Sequence, residues 1–338
     1  MKKYLKKFNI RKKVYFIAEI GINHEGNLDL CKRMILEAKK SGADAAKVQI
    51  VNAEDSYEVN TQSYKEFIKR TLDFSSYKVL RNYAKKIRID FFATPGDFQS
   101  LELIKKLNFS IIKVSSGLMT NSFLLEECFK TGKFLIVSNG IGNLADHRFL
   151  KTLIKKYRYK NKICILKCTS EYPSKIENLN LNSITKLKND FNVTIGYSDH
   201  SPGIDAVLAA ICKGARVVEK HFTLDKKKKG ADHKISLMPK EFKFMIEKSK
   251  NFLKMLGNND YSLNNSIKNN RKKMLRYLVT KKEIIKGEKL NYKNIYFKRI
   301  KNYSDAIDST IENRKFFNKK LKDNLKKNQI LKKKMFYD

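Results

Sequence analysis

Histidine and carboxylate side chains suited to metal and proton chemistry fall at or just after the ends of short apolar runs. His200 and His221 end two neighbouring runs, and two imidazoles can share one divalent cation while leaving positions open for a substrate. Glu19, Glu219 and Asp232 could hold the hydroxyl groups of a polar substrate or move protons. These residues predict a metal-assisted site, with a structural role for both histidines as the alternative.

Two lysines and several hydroxyl side chains predict that the same site binds an anion. Lys47 and Lys113 lie within apolar runs, where a lysine must be paired with an acid or bind an anion. Hydroxyl groups that can donate hydrogen bonds to phosphate and carboxylate oxygens lie at the ends of these runs, at Thr94, Ser116, Ser138, Ser170 and Ser198. Composition and spacing alone therefore predict an enzyme that binds an anionic substrate, and an ion-pair role for either lysine is the alternative.

The elements that must position these residues alternate along residues 14–256. Short apolar runs typical of buried strands are separated by amphipathic stretches of helical period. The first helical stretch follows Asn27, an N-cap candidate, and stops at Gly42; the last begins at Pro239 and stops at Gly257. The eight predicted strands cover residues 14–20, 44–50, 89–94, 110–115, 134–138, 163–169, 193–198 and 216–221.

Eight strand–helix units predict an α/β fold, specifically a closed (β/α)₈ TIM barrel. An open, doubly wound sheet is the alternative. In a TIM barrel the active site lies at the carboxyl ends of the strands, which is where the polar residues named above are expected. The predicted fold therefore gathers side chains that are far apart in the sequence into one ring.

The chain divides by composition into a barrel domain at residues 1–257, an asparagine-rich linker at 258–270 and a small β-rich domain at 271–338. Within the last domain, the segments EIIKGEKL and LKKNQIL, which start at Glu283 and Leu325, look like two copies of one turn. Gly287 and Asn328 occupy matching positions, and both residue types tolerate a positive φ. Internal pseudo-symmetry is therefore expected.

Composition excludes several classes of protein. With 42% hydrophobic and 31% charged residues in a chain of 338, the protein is neither disordered nor fibrous. No apolar run approaches the length of a membrane helix, and none is typical of a signal peptide. Five cysteines without a CxxC pair are typical of reduced thiols, so a cytoplasmic protein is expected.

The net charge of +38 raises the alternative of a nucleic-acid-binding protein. Lysine supplies 60 of the 72 cations, and tryptophan is absent. That pattern favours a bias of the whole composition over a dedicated basic groove, and a nucleic-acid partner would leave the polar strand ends unexplained. We therefore expect neither a nucleic-acid partner nor a membrane partner.

Six motifs at the strand ends resemble the sialic acid synthase family, which includes N-acetylneuraminate, legionaminate and pseudaminate synthases. They are AEIGINHEGN at residues 18–27, ATP at 93–95, KVSSG at 113–117, CTSEYP at 168–173, GYSDH at 196–200 and EKHFTLD at 219–225. In the last domain, VTKKEIIKGEKL at 279–290 and the FKR that follows resemble the family's C-terminal antifreeze-like (SAF) domain. The motifs occur in the same order as in the family, and together they cover the whole chain.

The resemblance implies a transferase that condenses phosphoenolpyruvate with the open-chain aldehyde of an N-acylated hexosamine. The sugar would be N-acetylmannosamine or a diacetamido-trideoxyhexose, and the products a nine-carbon 2-keto sugar acid and phosphate. Mn²⁺ or Mg²⁺ held by His200 and His221 would polarise the aldehyde. Another phosphoenolpyruvate-condensing barrel, such as an octulosonate phosphate synthase, is the alternative, although the SAF-like segment argues against it. An interaction module on an inactive barrel is a third interpretation, against which both histidines and Glu19 argue.

The resemblance also implies a role for each residue. The positions that surround phosphoenolpyruvate in the family correspond to Lys47, Thr94, Lys113, Ser116, Ser138, Ser170, Tyr172 and Ser198. The catalytic positions that also orient the sugar correspond to Glu19, Glu219 and Asp232, with Tyr172 beside them. Arg299 corresponds to an arginine that the appended domain delivers to the partner subunit's active site, so a domain-swapped homodimer is implied.

Three positions depart from the family's pattern. Leu118 stands where an acid often follows the serine and glycine, and Ser170 stands where N-acetylneuraminate members often carry asparagine. After Arg299, residues 300–301 replace the usual Pro-Gly turn. The identity of the sugar and the reach of Arg299 across a dimer are therefore left open.

Overall fold

Eight parallel strands, taken in chain order, close into a barrel whose last strand pairs with its first. This architecture confirms the predicted TIM barrel and excludes the open sheet. The computed structural model describes residues 13–230, 232–257, 260–301 and 304–337. The strands are β1 Tyr15–Gly21, β2 Ala45–Ile50, β3 Asp90–Pro95, β4 Ile111–Val114, β5 Phe134–Ser138, β6 Ile163–Cys168, β7 Thr194–Asp199 and β8 Val217–His221.

Helices follow the strands. As the sequence predicts, the first begins after Asn27, whose side chain accepts a hydrogen bond from Leu30 N, and the last begins at Pro239. Three helices lie between β2 and β3, and the second of them buries no residue. The helices of this unit are α1 Leu28–Lys40, α2 Ala53–Ser56, α3 Gln62–Arg70, α4 Phe74–Lys86, α5 Phe98–Lys106, α6 Ser116–Met119, α7 Ser122–Lys130, α8 Leu144–Lys156, α9 Ser183–Phe191, α10 Asp205–Cys212 and α11 Pro239–Leu256.

The barrel interior is apolar toward the amino ends of the strands and polar toward the carboxyl ends. A buried apolar cluster fills the interior and includes Ile17, Ala45, Ile111 and Val217. Side chains two residues apart on a strand share a face, so the next inward positions are Glu19, Lys47, Lys113 and Glu219. The same two-residue step leads from Phe92 to Thr94 and from Ile136 to Ser138. Strand alternation alone therefore builds a polar ring on an apolar base.

The contacts divide the chain into one unit over Met1–Gly257 and a second over Asn258–Asp338. In the second unit, α12 Asn265–Met274 is followed by the antiparallel strands β9 Tyr277–Thr280 and β10 Ile295–Lys298. The helix starts at the Asn264 N-cap and crosses the linker boundary predicted at residue 270. Residues 258 and 259 of that predicted linker lie outside the described residues.

The two segments predicted to repeat in the second unit do pair with each other. Ile284 N donates to Leu325 O at 3.0 Å, and Leu325 N donates to Ile284 O at 2.8 Å. Gly287 has a φ of +82° and Asn328 a φ of +66°, as expected for matching turn positions. In the part of the chain that the structure describes, no helix combines the length and the apolar character needed to cross a membrane.

Candidate active site

Two lysines and two glutamates form a charged cluster inside the carboxyl end of the barrel, and all four are buried. Lys47 Nζ lies 2.7 Å from Glu19 Oε2 and 3.8 Å from Glu219 Oε2. Lys113 Nζ lies 3.6 Å from Glu219 Oε1. These residues come from β1, β2, β4 and β8, so the cluster spans the barrel. Both lysines are paired with acids, which is the role given above as the alternative to anion binding, and both ammonium groups lie beside the Glu219 carboxylate, where an anion could also bind.

Neutral side chains surround this cluster with hydrogen bonds. Lys47 Nζ donates to Thr94 Oγ1 at 3.1 Å, and Lys113 Nζ donates to Ser138 Oγ at 2.8 Å. Ser198 Oγ donates to Glu219 Oε1 at 3.1 Å. The structure therefore brings together the charged residues of the predicted site and three of its hydroxyl groups.

The surroundings give the two glutamates opposite properties. Burial raises the pKa of Glu19 to about 7, although Lys47 acts in the other direction. Burial would also raise the pKa of Glu219, but Lys113 and Lys47 outweigh it, and the pKa lies below its usual value. Burial lowers the pKa of Lys113, whereas the two carboxylates outweigh burial at Lys47 and raise its pKa. At neutral pH Glu219 is ionised, and Glu19 can gain or lose a proton.

The two strand-end histidines lie side by side under an aromatic ring. The ring centroids of His200 and His221 are 5.4 Å apart, and that of Tyr172 is 4.2 Å from His200. His200 Nδ1 lies 2.9 Å from Thr169 O, which leaves Nε2 free to accept. His221 Nδ1 is buried without a hydrogen bond in the described part of the chain, and Asp232 Oδ2 lies 3.5 Å away.

These imidazoles fit a divalent cation that takes two ligands from the protein. Burial lowers the pKa of His200 to about 4 and that of His221 to about 3, so both rings are neutral and can donate a lone pair. Among the described residues, no group of three or more histidine, cysteine or acidic side chains could hold a metal. The remaining positions would belong to substrate or water, as in an open catalytic site.

Ser116 and Ser170 form a second, neutral part of the ring. Ser170 Oγ donates to Ser116 Oγ at 2.9 Å, and Ser116 Oγ accepts from Ile141 N at 2.7 Å. Both oxygens crowd against Gly140, where an added Cβ would lie 2.3 Å from Ser170 Oγ and 2.7 Å from Ser116 Oγ. Gly140 is therefore needed for the serine pair, a role that its place after β5 does not reveal.

Two polar residues outside the predicted set, Gln49 and Asn23, hold members of the predicted site in place. Gln49 Nε2 donates to Glu19 Oε1 at 3.1 Å. Gln49 lies two residues after Lys47 on β2, and this spacing in the sequence could have placed it on the same face as Lys47. Asn23 Oδ1 accepts from Asp232 N at 3.2 Å, while its Nδ2 donates to Phe222 O at 3.0 Å. Asn23 thereby fixes the loop that carries Asp232.

Two further residues were singled out in the sequence. Arg299 is exposed and directly follows β10 in the second unit. Leu118, which stands where the family often has an acid, is half-buried and packs against the outer apolar cluster of the barrel unit. It therefore adds no polar contact to the ring.

The buried polar ring lies at the carboxyl end of a TIM barrel, which is where enzymes of this fold have their active sites. The chain belongs to the NeuB family, the sialic acid synthase family, whose model matches residues 34–261. It is a sialic acid synthase-like enzyme, as its motifs imply.

Synthases from other organisms are similar in sequence to most of this chain. N,N'-diacetyllegionaminic acid synthase of Campylobacter jejuni is 37% identical over 311 residues, which cover 88% of this chain and 93% of the relative. N-acetylneuraminate-9-phosphate synthase of Mus musculus is 36% identical over 258 residues, 72% of this chain and 71% of the relative. The crystal structure of N-acetylneuraminic acid synthetase from Leptospira borgpetersenii with citrate matches with a TM-score of 0.74 and 32% identity, over 79% of this chain and 95% of that one.

Proposed function

We propose that the enzyme condenses phosphoenolpyruvate with the open-chain aldehyde of an N-acylated amino sugar, and releases phosphate and a nine-carbon 2-keto sugar acid. The observation that carries the proposal is the buried cluster of Lys47 and Lys113 among hydroxyl groups. Phosphoenolpyruvate carries a phosphate and a carboxylate. Two ammonium groups and small donors match this pair of anions, and burial strengthens each contact.

The chemistry assigned to this site needs one proton carrier. Carbon 3 of phosphoenolpyruvate bonds to the aldehyde carbon, and the Glu19 carboxyl donates its proton to the oxygen that becomes a hydroxyl group. Water then adds at carbon 2, and the Glu19 carboxylate takes a proton from it. In the resulting tetrahedral centre the bond from carbon 2 to the phosphate oxygen breaks, the remaining hydroxyl proton passes to the departing phosphate, and the 2-keto group is left. Glu19 suits both transfers because its pKa lies at about 7.

We assign His200 and His221 as ligands of Mn²⁺ or Mg²⁺. When bound there, the cation supplies Lewis-acid polarisation of the aldehyde oxygen. The support is the neutral, adjacent imidazole pair and the buried His221 Nδ1 that makes no hydrogen bond among the described residues. Asp232 and Tyr172, which adjoin this pair, then orient the sugar.

A diacetamido-trideoxyhexose is the first sugar to test. The legionaminic acid synthase of Campylobacter jejuni resembles 88% of this chain. The name of that enzyme specifies a doubly acetylated product. N-acetylmannosamine is the second sugar to test, because another relative is named for N-acetylneuraminate 9-phosphate.

We further propose that the second unit is an SAF-like domain that completes the site in a domain-swapped homodimer. Its paired turns at Gly287 and Asn328 and the motif around them support the assignment. Arg299 is exposed, as a residue that contacts a partner subunit's active site has to be in the single chain. All five cysteines are free thiols, which fits the cytoplasm that we propose as its compartment.

Phosphate release tests the reaction directly. The full chain is stripped with EDTA, and phosphate is measured with phosphoenolpyruvate, either sugar, and either Mn²⁺ or Mg²⁺, with mass spectrometry of the sugar acid. Lys113→Met should abolish turnover. Lys133→Met, which removes a partly exposed lysine at the amino end of β5, is the matched control and should keep it.

Turnover that needs both a sugar and a metal supports the proposal and names the sugar. Phosphate release without any sugar would make the protein a phosphatase and refute condensation. Turnover with arabinose 5-phosphate alone would favour an octulosonate phosphate synthase. If the EDTA-treated enzyme condenses the substrates equally well without added metal, the proposed role of the two histidines as metal ligands is refuted.

A further inference from the structure

A fully buried ion pair lies directly behind the two histidines. Lys220 Nζ is 2.6 Å from Asp199 Oδ2, and neither side chain has any exposed surface. Asp199 Oδ1 accepts hydrogen bonds from Ser201 N at 2.9 Å and from Ser201 Oγ at 2.7 Å, and Tyr197 OH donates to it at 3.1 Å. Lys220 Nζ also donates to Ser201 O. The pair is therefore held by a complete polar network, none of which belongs to the reaction derived above.

The position of this pair in the barrel is specific. Asp199 and Lys220 are the last residues of β7 and β8 that pair in register, and each immediately precedes a histidine. Side chains alternate along a strand, so the preceding register pair, Ser198 and Glu219, faces the site and makes a hydrogen bond there. The ion pair therefore lies on the opposite face, and the next residues, His200 and His221, turn back toward the site.

Stability alone does not account for such a pair. Removing two charges from water costs several kcal/mol per ion, and well-packed apolar residues of similar volume often serve a protein equally well or better. An apolar pair, however, fixes neither the register nor the rotation of two strand ends, because apolar contacts are not directional. An ion pair with hydrogen bonds to Ser201 fixes both.

We infer that Asp199 and Lys220 are positioning residues that hold the ends of β7 and β8 so that the imidazoles of His200 and His221 converge on one divalent cation. The inference rests on the proposed metal site and deepens it. The pair touches neither substrate nor metal. It acts through the two backbone links to the histidines, whose ring centroids it keeps 5.4 Å apart.

Binding of Mn²⁺ to the metal-free full chain, followed by electron paramagnetic resonance of the free ion, tests the inference without turnover. In the double variant Asp199→Leu/Lys220→Met both charges are replaced by apolar side chains of similar size. We expect the variant to fold but to unfold at a lower urea concentration, because Ser201 and Tyr197 lose their buried acceptor, and the dissociation constant for Mn²⁺ to rise about 10- to 100-fold. The matched control is Lys226→Met, which removes a neighbouring lysine that pairs with Glu241 at the surface and should leave Mn²⁺ binding unchanged.

A second variant keeps the test decisive if the double variant does not fold. Tyr197→Phe removes only the hydroxyl that donates to Asp199 and leaves no buried charge unpaired. We expect it to raise the dissociation constant about threefold. Wild-type Mn²⁺ affinity in a folded double variant would overturn the inference, as would wild-type affinity in Tyr197→Phe if the double variant is unfolded. Absence of saturable Mn²⁺ binding by the wild-type chain would instead refute the metal site itself.

Discussion

The serine pair beside Gly140 allows a sharp test of the site, because one added methyl group should displace it. In Gly140→Ala the new Cβ would lie 2.3 Å from Ser170 Oγ and 2.7 Å from Ser116 Oγ, whereas ordinary contacts begin at 3.4 Å. Ser170 Oγ must therefore withdraw by 3.4 − 2.3 = 1.1 Å and Ser116 Oγ by 3.4 − 2.7 = 0.7 Å. The hydrogen bond from Ile141 N to Ser116 Oγ opposes that movement.

The displacement sets the expected magnitudes. Overpacking of this kind costs about 1–3 kcal/mol of unfolding free energy. A misplacement of about 1 Å in a substrate-positioning group can cost about 100-fold in rate. We therefore expect kcat/KM for phosphoenolpyruvate to fall about 100-fold in Gly140→Ala, mainly through KM, and urea unfolding to shift to lower concentration.

Gly117 provides the matched control on the neighbouring helix α6. A Cβ at Gly117 would meet nothing within 4 Å, so Gly117→Ala should keep activity and gain about 0.4–1 kcal/mol of stability. Phosphate release and urea unfolding, measured on both variants, separate the two cases. A Gly140→Ala enzyme with kcat/KM within threefold of wild type would show that the serine pair does not position the substrate.

Three further substitutions test other parts of the site. Burial holds the pKa of Glu19 at about 7, against 4.5 in the unfolded chain, so the folded protein keeps this proton to a higher pH and the free energy of unfolding should decline from pH 4.5 to 7. In Glu19→Gln, urea unfolding should show no such decline, and a decline as steep as that of wild type would contradict the raised pKa. Lys47→Met removes a buried partner of two carboxylates and should cost about 3 kcal/mol in the same assay at pH 7, whereas a loss below 1 kcal/mol would show the pair to be expendable. Arg299→Ala should raise the KM for the sugar about tenfold without changing the melting temperature, and an unchanged KM would separate the second unit from the site.

Local patterns in the sequence were enough to predict the barrel. Eight apolar runs gave the strands to within a few residues, and Asn27 marked the start of the first helix because an N-cap is a local feature. The burial of Lys47 and Lys113 also followed from their place within apolar runs. Strand alternation then placed them on the same face as the apolar residues two positions earlier.

Contacts between distant strands could not be predicted in this way. Gly140 matters because Ser116 and Ser170, from two other strand ends, converge on it, and Asn23 matters because its amide reaches Phe222 across 199 positions of sequence. Such contacts depend on register and on loop paths, which periodicity does not encode. Helix α3 buries no side chain, so a pattern of buried residues cannot mark it in the sequence.

The seam between β1 and β8 means that the site does not exist until the barrel is complete. Glu19 pairs in register with His221, and Phe222 N donates to Glu19 O at 2.8 Å. A nascent chain carries Glu19, Lys47 and Lys113 long before Glu219 and His221 emerge from the ribosome. Ligand binding must therefore follow closure of the seam, and a bound ligand should slow opening of the barrel rather than hasten its folding. A bound ligand should therefore lower the measured rate of unfolding and leave the rate of folding unchanged.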